Sequence, residues 1–318
     1  MKPKILCIVG PTASGKSGLA LALARRLDGE IISCDSMQIY RGMDIGTAKA
    51  TAAEREEIPH HLLDMADPDA SFSAADFVTA AKKAIDSITA RGRLPILCGG
   101  TGLYLDSLLR PTAYAAPPPD PALRAELTEQ LAEQGTDAMH ARLAALDPEA
   151  AEAIHPNNTK RVLRALEICL SSGKTKSEFD AESVVGECLY AACVIGLRWP
   201  RAELNDRIDV RVDAMLAEGL VEETAALLAA GYLAPDTTAG QAIGYKEILP
   251  YLRGEEPLAV SAERLKIATH RYAKRQMTWF GAKPYVQWID CEGRDFEEIV
   301  NIAAELFICT QECGRINE

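Results

Sequence analysis

A short apolar run from Lys4 to Val9 leads straight into Gly10-Pro11-Thr12-Ala13-Ser14-Gly15-Lys16-Ser17, and Ser17 to Leu27 then reads as a helix. This G-x-x-x-x-G-K-[ST] pattern between strand and helix restricts the fold more than any other feature, because it demands a tight turn at the carboxyl end of a strand. Glycines let successive N–H groups turn inward, the helix N-terminus adds partial positive charge, and Lys16 adds a full one. Gly10, Thr12, Ala13, Ser14, Gly15, Lys16 and Ser17 are therefore expected to hold a diphosphate or triphosphate, with the Ser17 hydroxyl on Mg2+.

The rest of the chain extends this turn into a sheet. Glu30 to Cys34 and Leu94 to Cys98 read as further strands, and Phe72 to Ala90 and Thr101 to Leu109 as helices, an alternation that predicts a parallel sheet covered on both faces. From Asp120 to about Gly173 apolar residues recur only at helical spacing, as in Leu123, Leu127, Leu131 and in Val162, Leu163, Leu166, Leu170. Strand-like runs return at Leu189 to Leu197 and Tyr285 to Ile289, with helical patterns at Arg201 to Leu216, Val221 to Ala230 and Glu263 to Phe280 between them. The expected fold is α/β: a P-loop NTPase-like parallel-sheet core, residues 1–115 and 189–318, interrupted by an all-helical insertion, residues 116–188. Pro117, Pro118, Pro119 and Pro121 mark the first boundary.

Chemistry is expected where strands end beside the cradle. The run ending at Cys98 passes into Gly99-Gly100-Thr101-Gly102 without an acid, whereas Ile31 to Cys34 ends at Asp35. Asp35 is thus either a metal organiser or a general base. With Ser36 and Gln38 it forms a polar loop able to hydrogen-bond a purine edge. Amides of the second glycine turn and the Thr101 hydroxyl can face the same crevice. His60 and His61, adjacent in sequence, are expected to be structural or capping rather than ligands.

Composition narrows the partners. A formal charge of −12 argues against a non-specific nucleic-acid coat, yet Arg264 to Lys283 carries six Lys or Arg and no acid, interspersed with Tyr272, Trp279 and Phe280. At helical spacing Arg264, Arg271 and Arg275 share a face, with Ile267 and Trp279 expected to pack. Lys160, Arg161, Arg164, Lys174 and Lys176 against Glu167 alone repeat the bias in the insertion. Two such segments fit an extended polyanion better than a small metabolite. Nine cysteines without a C-x-x-C pair read as reduced thiols in a cytoplasmic protein, and no apolar run approaches a signal-peptide core or a membrane span.

Taken with Asp35-Ser36-Met37-Gln38-Ile39-Tyr40-Arg41-Gly42-Met43-Asp44-Ile45-Gly46-Thr47-Ala48-Lys49 and Pro59-His60-His61-Leu62-Leu63-Asp64, the cradle makes the chain resemble the tRNA dimethylallyltransferase (isopentenyltransferase) family over nearly its whole length. Gly99 to Tyr104, Arg161 to Glu167, Gly244-Tyr245-Lys246-Glu247 and Ala273 to Phe280 complete the resemblance. Ala50 stands where the family usually has proline, and the cysteine spacing points to the compact bacterial type without a zinc-finger extension.

The resemblance implies that the cradle holds dimethylallyl diphosphate and that the exocyclic amine of the adenosine 3′ to the anticodon attacks its allylic carbon, releasing diphosphate. Asp35 would take the amine proton, and Lys16, Mg2+ and Arg211 would stabilise the leaving group. Thr101 would contact the reacting groups. For tRNA it implies that Asp35, Ser36, Met37 and Gln38 read an extruded base. Thr159, Lys160, Arg161, Val162, Leu163 and Arg164 would contact the anticodon stem and loop, and Arg271, Lys274 and Arg275 would join the RNA surface. A monomer without a membrane partner is expected. A small-molecule P-loop kinase, with Asp35 organising Mg2+, and a non-catalytic RNA-binding protein are the rival readings.

Overall fold

The computed structural model describes residues 2–110, 120–182, 187–235 and 237–316, with side chains as far as residue 310. Two compact units result: Met1–Leu109 with Cys188–Glu318, and Arg110–Glu187. The expected boundary between residues 115 and 116, and Pro117 to Pro119, lie outside the described residues.

The first unit begins β1 (Lys4–Val9), α1 (Lys16–Leu27), β2 (Gly29–Ser33), α2 (Ala52–Glu57), β3 (His60–His61), α3 (Ala74–Ala90), β4 (Leu94–Cys98) and α4 (Gly102–Leu109). The second unit holds α5 (Pro121–Leu146), α6 (Pro148–Ala153), α7 (Thr159–Ser172) and α8 (Lys176–Glu182). The first unit then resumes with β5 (Ala191–Arg198), α9 (Arg201–Ala217), α10 (Leu220–Ala229), α11 (Leu249–Leu252), α12 (Leu258–Gly281), β6 (Val286–Asp290) and α13 (Phe296–Ile316).

Six strands form one parallel sheet in the order β3-β2-β4-β1-β5-β6. Both faces of β1 are buried. Leu6 and Ile8 pack with Leu19 and Leu23 of α1 and Ile299 of α13, while Ile5, Cys7 and Val9 pack with Phe77 of α3 and Leu108 of α4. That two-sided burial explains why the strands read as continuous apolar runs rather than alternating ones. The chain leaves β1 toward β2 on one side and returns through β5 on the other, so the crevice at the carboxyl end of β1 is a topological switch point, the usual ligand site of such sheets.

Two elements differ from the sequence reading. His60 and His61 form a short edge strand beside β2, with His61 Nε2 2.6 Å from the buried Glu30 carboxylate, so the pair is structural as expected but extended rather than capping. Helix α12 begins at Leu258, ahead of Glu263, because Pro257, extended at the N-cap, accepts from Val260 N at 3.0 Å and Glu256 accepts from Ser261 Oγ at 2.6 Å and Arg264 at 2.5 Å. No described helix is long and apolar enough to cross a membrane.

The helical unit has its own core of Leu127, Met139, Leu143, Ile154, Val162 and Leu166, among others. Its fully buried Glu167 accepts from the Asp120 N–H at 2.7 Å and pairs with Arg124 and with Arg164 at 3.2 Å. Asp147 caps α6 and accepts from the Ser177 N–H and hydroxyl at 2.9 and 2.7 Å.

Candidate active site

The loop after β1 has the backbone the motif requires. Gly10, Ala13 and Gly15 take φ values of 135°, 61° and 94°, the left-handed region in which successive amides converge on one side. Lys16 opens α1, and its Nζ donates to Pro11 O at 2.9 Å, arching over the loop. Burial pushes the Lys16 ammonium below its ordinary pKa; Cys98 and Asp35 pull it up, and Arg211 adds to the depression.

The second glycine turn is stitched to the ends of two strands. Cys34 N donates to Cys98 O at 2.8 Å, Gly99 N to Ile8 O at 3.2 Å and Thr101 N to Cys34 O at 3.2 Å. A Cβ on Gly99 would lie 2.0 Å from Cys34 O, so only glycine permits this approach. It places Thr101 beside the Asp35 loop, where its hydroxyl accepts from Ser36 N at 3.0 Å. Asp35 Oδ1 accepts from Met37 N at 2.9 Å, which fixes the carboxylate at the strand tip.

Lys16, Ser17, Asp35 and Arg211 line one cavity of about 1050 Å³. Arg211 arrives from α9; burial lowers its pKa, with Asp35 and Glu218 opposing. Tyr272 and Arg275 of α12 also line the cavity. Burial raises the Tyr272 phenol and the negative charge of Asp35 adds to it, while Arg275 and a hydrogen bond with Thr101 act in the opposite sense. Asp35, Thr101, Lys16 and Arg211, expected from sequence to act together, thus meet at the carboxyl edge of the sheet. Cys98 lies beside Ser17 and is held protonated, its thiol pushed by burial up to about 11, and the described cysteines are all free thiols.

A long loop, residues 35–49, frames the cavity and is held by two devices, one buried and one half-buried. Lys49, 8% exposed, donates to Tyr40 O at 2.8 Å, Asp44 Oδ1 at 2.6 Å and Asp64 Oδ1 at 2.7 Å. The Glu223 carboxylate accepts from the N–H groups of Asp44, Ile45 and Gly46 and from the Tyr245 hydroxyl at 2.6 Å.

Several sequence expectations need correction. The Gln38 amide is consumed inside the protein: its Oε1 accepts from Ser33 Oγ at 2.8 Å and its Nε2 donates to Thr47 O and Ala48 O. In this arrangement the amide braces the loop, while the residue itself lines the cavity with Lys16 and Asp35. Val162 and Leu163, counted among the RNA contacts, have their side chains in the core of the helical unit, because α7 turns its apolar face inward. Arg164 is tied to Glu167, Lys174 to Glu182 and Lys176 to Asp180, so the basic bias of that segment is largely matched by acids. Lys160 and Arg161 are exposed, and Thr159 is half-buried at the helix start.

On α12, Ile267 is 48% exposed rather than packed, and Trp279 is 37% exposed although it lies against Gly102. Trp279 forms an apolar strip in a groove flanked by Arg271, Lys274, Arg275 and Lys283. Arg264, expected on the same free face, is paired with Glu256.

Sequence reasoning gave no role to Gln276, Tyr272, Trp199, Lys49 or Glu223. Gln276 and Lys49 stand inside motifs that were legible, but their partners lie elsewhere in the fold and no spacing announces them. A buried lysine or glutamine has the same letter as an exposed one.

The IPP transferase family model matches residues 38–283. The tRNA dimethylallyltransferase 1 of Trichlorobacter lovleyi is 50% identical over 91% of this chain and 94% of its own length, and the tRNA dimethylallyltransferase of Bacillus subtilis is 48% identical over 91% of each. The crystal structure of the tRNA isopentenylpyrophosphate transferase of Bacillus halodurans aligns with a TM-score of 0.72 at 44% identity, covering 99% of this chain and 100% of its own. A eukaryotic dimethylallyltransferase solved acting on tRNA aligns with a TM-score of 0.77 at 32% identity, over 92% and 74%.

Proposed function

Because the chain belongs to the IPP transferase family of tRNA dimethylallyltransferases, we propose that it moves the dimethylallyl group from dimethylallyl diphosphate to the exocyclic amine of the adenosine 3′ to the anticodon of a tRNA, releasing diphosphate. One observation carries the reading: a single cavity joins the cradle lysine, Lys16, to the Asp35 carboxylate past the tip of β2, with Arg211 lining it as well.

The chemistry follows from those positions. The amine nitrogen forms a bond to the allylic carbon as the carbon–oxygen bond to diphosphate breaks, and the pair of electrons leaves with the diphosphate. Asp35, held by Met37 N–H, accepts the amine proton as the new bond forms. Lys16, the loop amides and Arg211 face the growing negative charge of the leaving group. Thr101, fixed against Ser36, places the base side of the site relative to the donor side.

Mg2+ suits the Ser17 hydroxyl beside the cradle in this cavity, since that ion takes one or two protein oxygens and completes its shell with phosphate and water, which leaves the Asp35 carboxylate for the proton. When bound it would neutralise diphosphate charge. For tRNA, the exposed Lys160 and Arg161 of the helical unit, and the groove of Arg271, Lys274 and Arg275 around Trp279, supply cations and a stacking face. The enzyme is proposed to act as a cytoplasmic monomer.

The test incubates protein, Mg2+, tRNA and dimethylallyl diphosphate labelled in the allyl group. Label entering the adenosine beside the anticodon is the expected result. Consumption of ATP without transfer of label would replace this reading with that of a small-molecule kinase.

A further inference from the structure

Two donors reach the back of the phosphate loop from outside the cavity. Trp199, just past β5, donates from Nε1 to Ser14 O at 2.9 Å, and Arg207 of α9 donates from Nε to Ala13 O at 2.9 Å. The two donors brace each other, for the Arg207 guanidinium carbon lies 4.3 Å from the centre of the Trp199 ring. Arg207 is exposed, and neither residue lines the cavity that holds Lys16 and Asp35, whereas Arg211, one turn further along α9, does.

A trans peptide is planar, so a carbonyl drawn outward forces the N–H of the following residue to the opposite side. Anchoring Ser14 O therefore aims the Gly15 amide into the cradle, and anchoring Ala13 O holds the Ser14 amide in the turn that it closes on Pro11 O at 3.4 Å. Ala13 and Gly15 both sit at positive φ, a conformation that costs energy at alanine and survives only where its surroundings hold it. The buried Ser14 hydroxyl makes no hydrogen bond of its own, so the side chain of that residue does nothing to fix the turn.

We propose that Trp199 and Arg207 are positioning residues for the diphosphate: they set the anion-binding amides of the loop without touching the substrate. The inference rests on the proposed reading that the cradle holds the diphosphate of the prenyl donor. It separates the two arginines of α9, Arg207 acting through loop geometry and Arg211 through direct charge.

The experiment measures binding of inorganic pyrophosphate with Mg2+ by calorimetry, together with KM for dimethylallyl diphosphate and for tRNA, in the full-length protein. Trp199→Phe keeps an aromatic ring for Arg207 and removes the N–H together with part of the ring; it should weaken pyrophosphate about five- to tenfold, the effect of one lost hydrogen bond, and raise donor KM by a similar factor. KM for tRNA should stay within about twofold of wild type, a split that general loosening of the fold would not produce. Arg207→Ala, at an exposed side chain, should reproduce the split and serves if the tryptophan variant does not fold. Variants that bind pyrophosphate like wild type, or that raise both KM values together, would overturn the positioning role alone. A wild-type protein that fails to bind pyrophosphate would overturn it together with the reading of the cradle.

Discussion

The side-chain carbonyl of Gln276 accepts the backbone N–H of Thr12 at 2.8 Å across the crevice between α12 and the phosphate loop, while its amino group donates to Gly100 O at 3.0 Å. One buried amide thus links both glycine turns to the helix that also carries Tyr272 and the basic groove. A Cβ on Gly100 would sit 1.9 Å from Gln276 Nε2, so the turn and the amide require one another.

Replacing Gln276 by leucine leaves a buried donor and acceptor unpaired. Thermal unfolding should register a loss of about 1–3 kcal/mol. Donor affinity should fall as well, since the Thr12 amide is no longer held.

Lys16→Ala should weaken pyrophosphate binding about 10- to 100-fold, as expected when a charge-assisted contact is lost. The pH dependence has a definite sign. Burial lowers the Lys16 pKa, so its charge, and with it diphosphate affinity, is lost on the alkaline side before the ordinary lysine value of about 10.4. Calorimetry across that range should show this early decline in wild type, and Lys16→Arg should carry binding to higher pH.

Lys49→Met removes the ammonium that two oxygens of the 35–49 loop share with the Asp64 carboxylate. Asp64 keeps Arg55 at 2.8 Å, but Asp44 and Tyr40 O lose their partner. About 3 kcal/mol of destabilisation is expected, and hydrogen exchange should quicken across residues 40–49 more than in β1 or β4.

In the helical unit, burial would raise Glu167, but hydrogen bonds from Arg124, the Asp120 amide and Arg164 overcome it and hold its pKa below the ordinary glutamate value. A carboxylate depressed in the folded state adds stability that is present above its unfolded pKa, about 4.3, and lost as pH falls through the folded one. Protection of α5 and α7 amides should therefore fall off below about pH 4, and Glu167→Gln should flatten that dependence while costing about 3 kcal/mol at neutral pH.

Local signals carried the first part of the reading. The strand, the turn of Gly10 to Ser17 and the helix after it are contiguous, so motif and conformation appear in the same few letters. Asp35 was legible because it ends an apolar run beside that turn. What the letters could not show was which polar groups are already spent: Gln38 looks like a reader of bases until its amide is found bonded to Ser33, Thr47 and Ala48. The same holds for the basic segments, where Arg164, Lys174, Lys176 and Arg264 meet acids brought near by folding. Val162 and Leu163 turn their side chains into the core because a helix adjacent to basic residues also needs an inner face.

The most direct test of a prenyl-diphosphate cradle facing an Asp35 base is a single-turnover comparison of wild type and Asp35→Asn, with saturating donor, tRNA and Mg2+. Asparagine keeps an oxygen for Met37 N–H and removes the ability to take a proton. Transfer should slow by about 10²–10⁴, the usual contribution of a general base, with donor and tRNA affinities unchanged. Transfer at the wild-type rate would contradict the account.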